Sequence, residues 1–141
     1  MVLVDSSVWI EAARRDGDLA VKVGLESLLE AYEVLLCGPV WLEVLGGARP
    51  ADRTRWQRGF GALPFRETPD GIWQSATENS WRLRDQGQTV PWNDVVIGTL
   101  SIRWGHRIYA CDRHFEVLRD LLGVRLYSPG PGGGFAPDSG E

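Results

Sequence analysis

Four apolar runs, each too short to be a helix, constrain this chain more than any other feature: residues 1–4, 34–37, 108–111 and 124–127. Between them lie segments of helical periodicity. Short buried strands alternating with helices predict a parallel sheet with right-handed crossovers and helices on both faces, an α/β architecture. Ser6-Ser7 starts a helix running to about residue 14, and residues 19–32 carry Val21, Leu25, Leu28 and Leu29 at helical spacing. After Gly38, Pro39 opens a third helix at a position where its missing N–H costs nothing, and Gly46-Gly47 ends it. Residues 49–58 are a charged, exposed helix, Leu63-Pro64-Phe65 an edge strand, and residues 70–86 a long amphipathic helix with Ile72, Trp73, Ala76, Ser80 and Leu83 on one face. Two further helices are expected, over 93–104 and up to Leu122, the latter stopped by Gly123. From Pro129 onward glycine and proline dominate, so the expected organisation is one domain over 1–128 and a disordered tail over 129–141.

A length of 141 residues suits one domain with a sizeable core, and 43% hydrophobic against 24% charged residues is the balance of a soluble globular protein. No apolar run reaches the length of a membrane span, and the N-terminus has neither a basic flank nor a cleavable apolar region, so a cytoplasmic location is expected. Cys37 and Cys111 read as reduced, buried side chains, and with only His106 and His114 a Cys/His metal cage is excluded by count. The net charge is −4, from 19 acids against 15 bases, and Lys22 is the sole lysine. Such a chain is not a general polyanion binder. If it meets nucleic acid, a local arginine face and a metal must do the attracting.

Four acids stand where sheet and helices meet. Asp5 closes the first strand and Asp112 the third; Glu43 lies one turn into the helix after the second strand; Asp94 opens a helix announced by Pro91, with Asn93 as its expected N-cap. Taken singly, Asp94 is equally explained as an acid complementing a helix dipole, and Asp112 as an ordinary turn acid. Together, the four can converge on the carboxyl edge of the sheet, where open α/β folds build their sites. Unpaired carboxylates so close repel and are pushed toward protonation unless a cation neutralises them. The all-oxygen set calls for Mg2+ or Mn2+, with Zn2+ disfavoured by the lack of nitrogen and sulfur donors. The matching chemistry is metal-assisted phosphodiester hydrolysis, with one ion or two. Ser7 either orients Asp5 or caps the first helix, and His114 either reaches the rim of the site or is a surface histidine. Trp9, Trp41 and Trp92 lie close in sequence to these acids and serve either as base-stacking surfaces or as core and interface. The set Arg49, Arg53, Arg55 and Arg58 either follows a phosphate backbone or is a solvated helix face.

Residues 4–10 (Val-Asp-Ser-Ser-Val-Trp-Ile), the Pro39 to Gly47 segment with Glu43, the Asn93-Asp94-Val95-Val96-Ile97 helix start, and Gly105 followed by residues 108–115 resemble PIN-domain ribonucleases, and within them the VapC-type toxins of bacterial toxin–antitoxin pairs. All four blocks occur in order over residues 1–127. The resemblance implies a PIN-like three-layer α/β/α sandwich with a central parallel sheet, a homodimer, and a Mg2+- or Mn2+-dependent endoribonuclease held inactive by a cognate antitoxin. It implies Asp5, Glu43, Asp94 and Asp112 as the catalytic, metal-binding quartet, with Ser7 in support beside the first acid; Asn93 is a further supporting candidate, and Arg113, His114, Arg49 and Arg53 are candidate RNA contacts. Ala110 departs from the family pattern, in which many relatives carry Thr two residues before the last acid. A receiver-like phosphoacceptor domain would need a late lysine, and a haloacid-dehalogenase-type phosphatase a second Asp where Ser7 stands. The remaining alternative is a non-catalytic PIN-like module that binds RNA or protein; its signature, loss of an acid, is absent.

Overall fold

The computed structural model describes residues 1–139. In chain order the elements are β1 (Val2–Val4), α1 (Ser6–Ala13), α2 (Leu19–Glu30), β2 (Val34–Cys37), α3 (Gly38–Gly46), α4 (Arg53–Gly61), β3 (Phe65–Arg66), α5 (Ile72–Asp85), α6 (Trp92–Trp104), β4 (Arg107–Tyr109) and α7 (His114–Leu122), with 3-10 turns at Pro50–Asp52 and Pro131–Gly133. The sheet order is β3-β2-β1-β4, and every pairing is parallel, with Leu3 opposite Leu35 on one side and Ile108 on the other. The chain winds outward from β1 through β2 to β3, then returns across the sheet to place β4 on the far side of β1. Right-handed crossovers running in opposite directions put their helices on opposite faces, which makes three layers. The helix contacts agree: α1 packs on α2 and α3, whereas α5 packs on α6 and α6 on α7. The connections leaving β1 and β4 diverge, so the crevice beyond their carboxyl ends is the switch point of the sheet.

Leu3, Leu36 and Ile108 from the strands, Ile97 and Leu100 from α6, and Phe115 and Leu118 from α7 are all fully buried. Helix α6 is buried over the whole run from Asp94 to Ser101, as expected of a helix sandwiched between sheet and neighbouring helices rather than lying on the surface. It approaches α7 closely at Gly98, where a Cβ would lie 3.0 Å from Leu118 Cδ1.

Two expectations are corrected. The strand over 124–127 is reduced to one parallel bridge between Ile108 and Leu126, with Ile108 N–H donating to the Arg125 carbonyl at 2.9 Å and Tyr127 N–H to the Ile108 carbonyl at 2.7 Å. At one end Val124 N–H still points to the Leu118 carbonyl at the close of α7, and at the other Pro129 has no N–H to give, so no longer ladder forms. The segment after Ser128, expected to be disordered, is packed on the body as far as it is described. Phe135 stacks on Tyr127, Arg107 donates to the Ala136 carbonyl at 2.9 Å, and Arg125 pairs with Asp138 at 2.8 Å. Gly133 passes so close to α2 that a Cβ would fall 2.5 Å from Val23 Cγ1. A single aromatic ring and two arginine anchors suffice to order it; Gly140 and Glu141 lie outside the described residues.

Since Leu118 fills the space that Gly98 leaves open, Leu118→Ala is expected to cost about 2–5 kcal/mol of stability by urea unfolding. A cost below about 1 kcal/mol would contradict the close α6–α7 packing.

Candidate active site

Asp5 follows β1 directly and is the N-cap of α1. Its Oδ2 accepts two hydrogen bonds from Ser7, one from the backbone N–H at 3.0 Å and one from the hydroxyl at 2.5 Å. Its Oδ1 is buried and has no hydrogen-bond partner among the described residues. The whole residue is 2% exposed, and burial pushes its carboxyl above the ordinary range, against the Ser7 hydrogen bonds and together with the charge of Glu43. The Ser7 hydroxyl also accepts the Cys111 N–H at 3.0 Å, so one side chain ties the end of β1 to the segment that leaves β4.

Asp94 lies in the first turn of α6 and is buried, and its carboxyl is pushed up to about 6. Burial is the largest cause; the charges of Asp5 and Asp112 add to it, and His114 opposes it. Asp112 stands three residues beyond β4, where its Oδ1 accepts the backbone N–H of His114 at 2.9 Å and so begins α7. Glu43 extends from α3 as an exposed residue, its Oε2 bound by the Ser6 hydroxyl at 2.5 Å and its Oε1 by Asn93 Nδ2 at 2.8 Å. The charge of Glu43 acts on Asp5, and those of Asp5 and Asp112 act on Asp94, so the four acids lie near enough to feel one another. Three of them sit at the N-terminal ends of α1, α6 and α7, where the positive helix ends favour negative charge.

Several expectations change at this site. Asn93 does not cap α6: the helix starts at Trp92 with Pro91 as an extended N-cap that makes no side-chain bond, and Asn93 instead steadies Glu43. His114 is not a bystander, because its Nδ1 lies 3.0 Å from Asp94 Oδ2 and 2.8 Å from Asp112 Oδ1. The site therefore includes a nitrogen donor after all, and atoms of Asp94, Asp112 and His114 that could hold a metal lie within 4.8 Å of one another. Ser6, read only as part of a helix start, positions Glu43. Cys37 is buried but Cys111, carried past the end of β4, is exposed.

Of the candidate RNA contacts, Arg113 lines a hollow of about 530 Å3 with Asp112 and His114, and Arg49 lines a separate cleft of about 460 Å3 that reaches Glu43. Arg53 points its Nε to the Ala48 carbonyl at 3.3 Å, outside that cleft. The tryptophans divide. Trp9 is 6% exposed and meets Trp56 and Phe60 edge-on, and Trp41 contacts Phe60 and Phe65, whereas Trp92 stands exposed at the mouth of α6 beneath the Arg84 guanidinium. Trp92 shares a groove of about 550 Å3 with Trp73 and Trp81, both also exposed.

The fold is that of PIN-domain toxins. FitAB bound to a DNA fragment aligns with a TM-score of 0.75 at 15% identity, over 90% of this chain and 94% of that one. VapBC2 from Rickettsia felis bound to a promoter DNA fragment aligns at 0.72 and 14% identity, over 90% and 98%. In sequence, the chain is 34% identical over 133 residues to VapC ribonuclease Mb1587 of Mycobacterium bovis and, equally, to ribonuclease VapC11 of Mycobacterium tuberculosis, covering 91% of this chain and 98% of each relative. No protein-family model matches. The chain belongs to the VapC ribonuclease family.

The raised Asp94 carboxyl has a consequence for pH. Its folded value, about 6, exceeds the ordinary 3.8, so in metal-free protein its contribution to stability is fully present below pH 3.8 and is lost as pH rises through 6. A cation competes with that proton. The rise in melting temperature on adding Mn2+ is therefore expected to be large at pH 7.5 and to shrink as pH falls through 6; an unchanged rise would contradict a cation at Asp94.

Proposed function

We propose that this chain is a divalent-metal-dependent endoribonuclease and the toxin of a type II toxin–antitoxin pair, working in the cytoplasm. The observation that carries the reading is Asp5 Oδ1, a buried carboxylate oxygen without a hydrogen-bond partner among the described residues, on a carboxylate that feels the charge of Glu43 and whose own charge acts on Asp94. An orphaned buried acceptor of that kind fits a cation, and the predominance of oxygen donors fits Mg2+ or Mn2+ even with His114 Nδ1 nearby. Asp5, Asp94 and Asp112 would hold the ion, with Glu43 as a further ligand or as the base that positions water. When bound, the ion supplies a water acidified toward hydroxide and stabilises the leaving oxygen of the phosphodiester.

The chain's own residues prepare this chemistry. Ser7 engages Asp5 Oδ2 through both its backbone N–H and its hydroxyl, which fixes the carboxylate and leaves Oδ1 to a cation. Ser6 and Asn93 hold both oxygens of Glu43, which keeps an exposed glutamate from wandering. His114 spans Asp94 and Asp112 and keeps the two acids together. A purely binding module has no use for such an arrangement, so the catalytic reading is preferred over the RNA- or protein-binding alternative. The ribonuclease names of the relatives support the substrate class, and a cognate antitoxin is the partner expected of a VapC chain. The exposed indoles of Trp73, Trp81 and Trp92 are surface that a second copy would remove from water, consistent with a homodimer.

Antitoxin-free protein is expected to cut cellular RNA with Mn2+ or Mg2+ and not with EDTA, and Asp94→Ala to abolish the cutting. Cleavage that persists in the variant, or in EDTA, would contradict the proposal.

A further inference from the structure

An acidic site needs a way to hold a polyanion, and α1, α3, the Pro50–Asp52 turn and α4 enclose one. Their cleft, of about 460 Å3, is lined by Arg14, Arg15, Arg49 and Arg55 and opens onto Glu43. We infer that this cleft is the track along which single-stranded RNA runs away from the acids, its phosphates held by these four arginines. The inference rests on the ribonuclease reading above and adds Arg14 and Arg15, which no motif of the sequence marks.

Four guanidiniums face two carboxylates, Glu43 and Asp52, in a chain whose overall charge is −4, so positive charge is concentrated against the average. The guanidiniums are available. The side chains of Arg49, Arg55 and Arg14 are 87%, 74% and 65% exposed, and their ion pairs, at 3.3 Å to Asp52 and 3.6 Å to Glu11, are surface pairs of little worth that a phosphate can replace. Arginine offers the planar fork that suits phosphate oxygens. The cleft also contains Ile10, 47% exposed, beside the half-buried Trp56, apolar surface on which a ribose or base can rest. An acidic protein segment would match the same charge. RNA is favoured because the cleft shares Glu43 with the reacting site.

Binding of a 5′-labelled single-stranded RNA is measured by fluorescence anisotropy in EDTA over a salt series, with wild type, Arg14→Ala/Arg15→Ala, Arg49→Ala/Arg55→Ala and, as a control outside the cleft, Arg82→Ala. Each double variant is expected to bind about tenfold more weakly at low salt, and the slope of log affinity against log salt to flatten by about 0.7 for each phosphate that an arginine no longer neutralises. In Mn2+, KM is expected to rise more than kcat falls, while the Mn2+-induced rise in melting temperature stays that of wild type. Double variants with wild-type affinity and slope overturn the track. So do double variants that lose only capture of the antitoxin, which would assign the cleft to a protein. Failure of the ribonuclease reading shows differently, as wild type that does not cut RNA in Mn2+.

Discussion

Asp5 brings a carboxylate into the interior with one oxygen bound and the other without a partner among the described residues. An uncompensated buried charge costs several kcal/mol, so the structure around it must either protonate the group or bring a cation to it. The Ser7 hydroxyl both donates to Asp5 and accepts from Cys111, and in doing so fastens together the ends of the two strands between which the sheet reverses its winding. Asp112 is carried on the segment so fastened. Asp94 enters from α6, whose first turns are drawn into the interior by the apolar residues that follow, Val95 to Ile97. This small hydrogen-bonded unit thus holds Asp5 and the segment that carries Asp112, while the burial of α6 brings in Asp94.

Magnitudes decide what holds such a cluster in place. Oxygens of Asp94 and Asp112 lie within 4.8 Å, where two unit charges repel by at least about 3.5 kcal/mol at an effective dielectric of about 20. A helix N-terminus returns about 0.3–1 kcal/mol to an acid beside it, and each of three acids has one. The helix ends lessen the repulsion without removing it. The raised Asp94 carboxyl is the remainder, and His114, set between the two acids, offsets a part. The arrangement is stable enough to fold and poor enough in positive charge to take up a cation.

Much of this was legible in the sequence. Short apolar runs closed by an acid mark a strand end facing a site, and Pro91 ahead of an apolar helix marked Asp94. What escaped reading depends on distant partners. His114 is two residues from Asp112 but meets Asp94 only because α6 and α7 pack together through Gly98. Asn93 looked like a cap because its sequence neighbours suit one, yet Pro91 already occupies that place and Glu43, 50 residues away, takes the amide. The chain after Ser128 has the composition of a disordered tail, but its anchors are Arg107 and Arg125, which no local pattern connects to it. Arg14 and Arg15 join Arg49 and Arg55 only after α2 and β2 have folded between them.

The unpartnered oxygen of Asp5 fits a cation. Anomalous diffraction from crystals soaked in Mn2+ tests it most directly. A manganese peak within coordinating distance of Asp5 Oδ1, and of Asp94 or Asp112, is the predicted result. Manganese bound elsewhere with Asp5 Oδ1 still bare, or no manganese at saturating concentration with the Asp94–His114–Asp112 contacts intact, would contradict it.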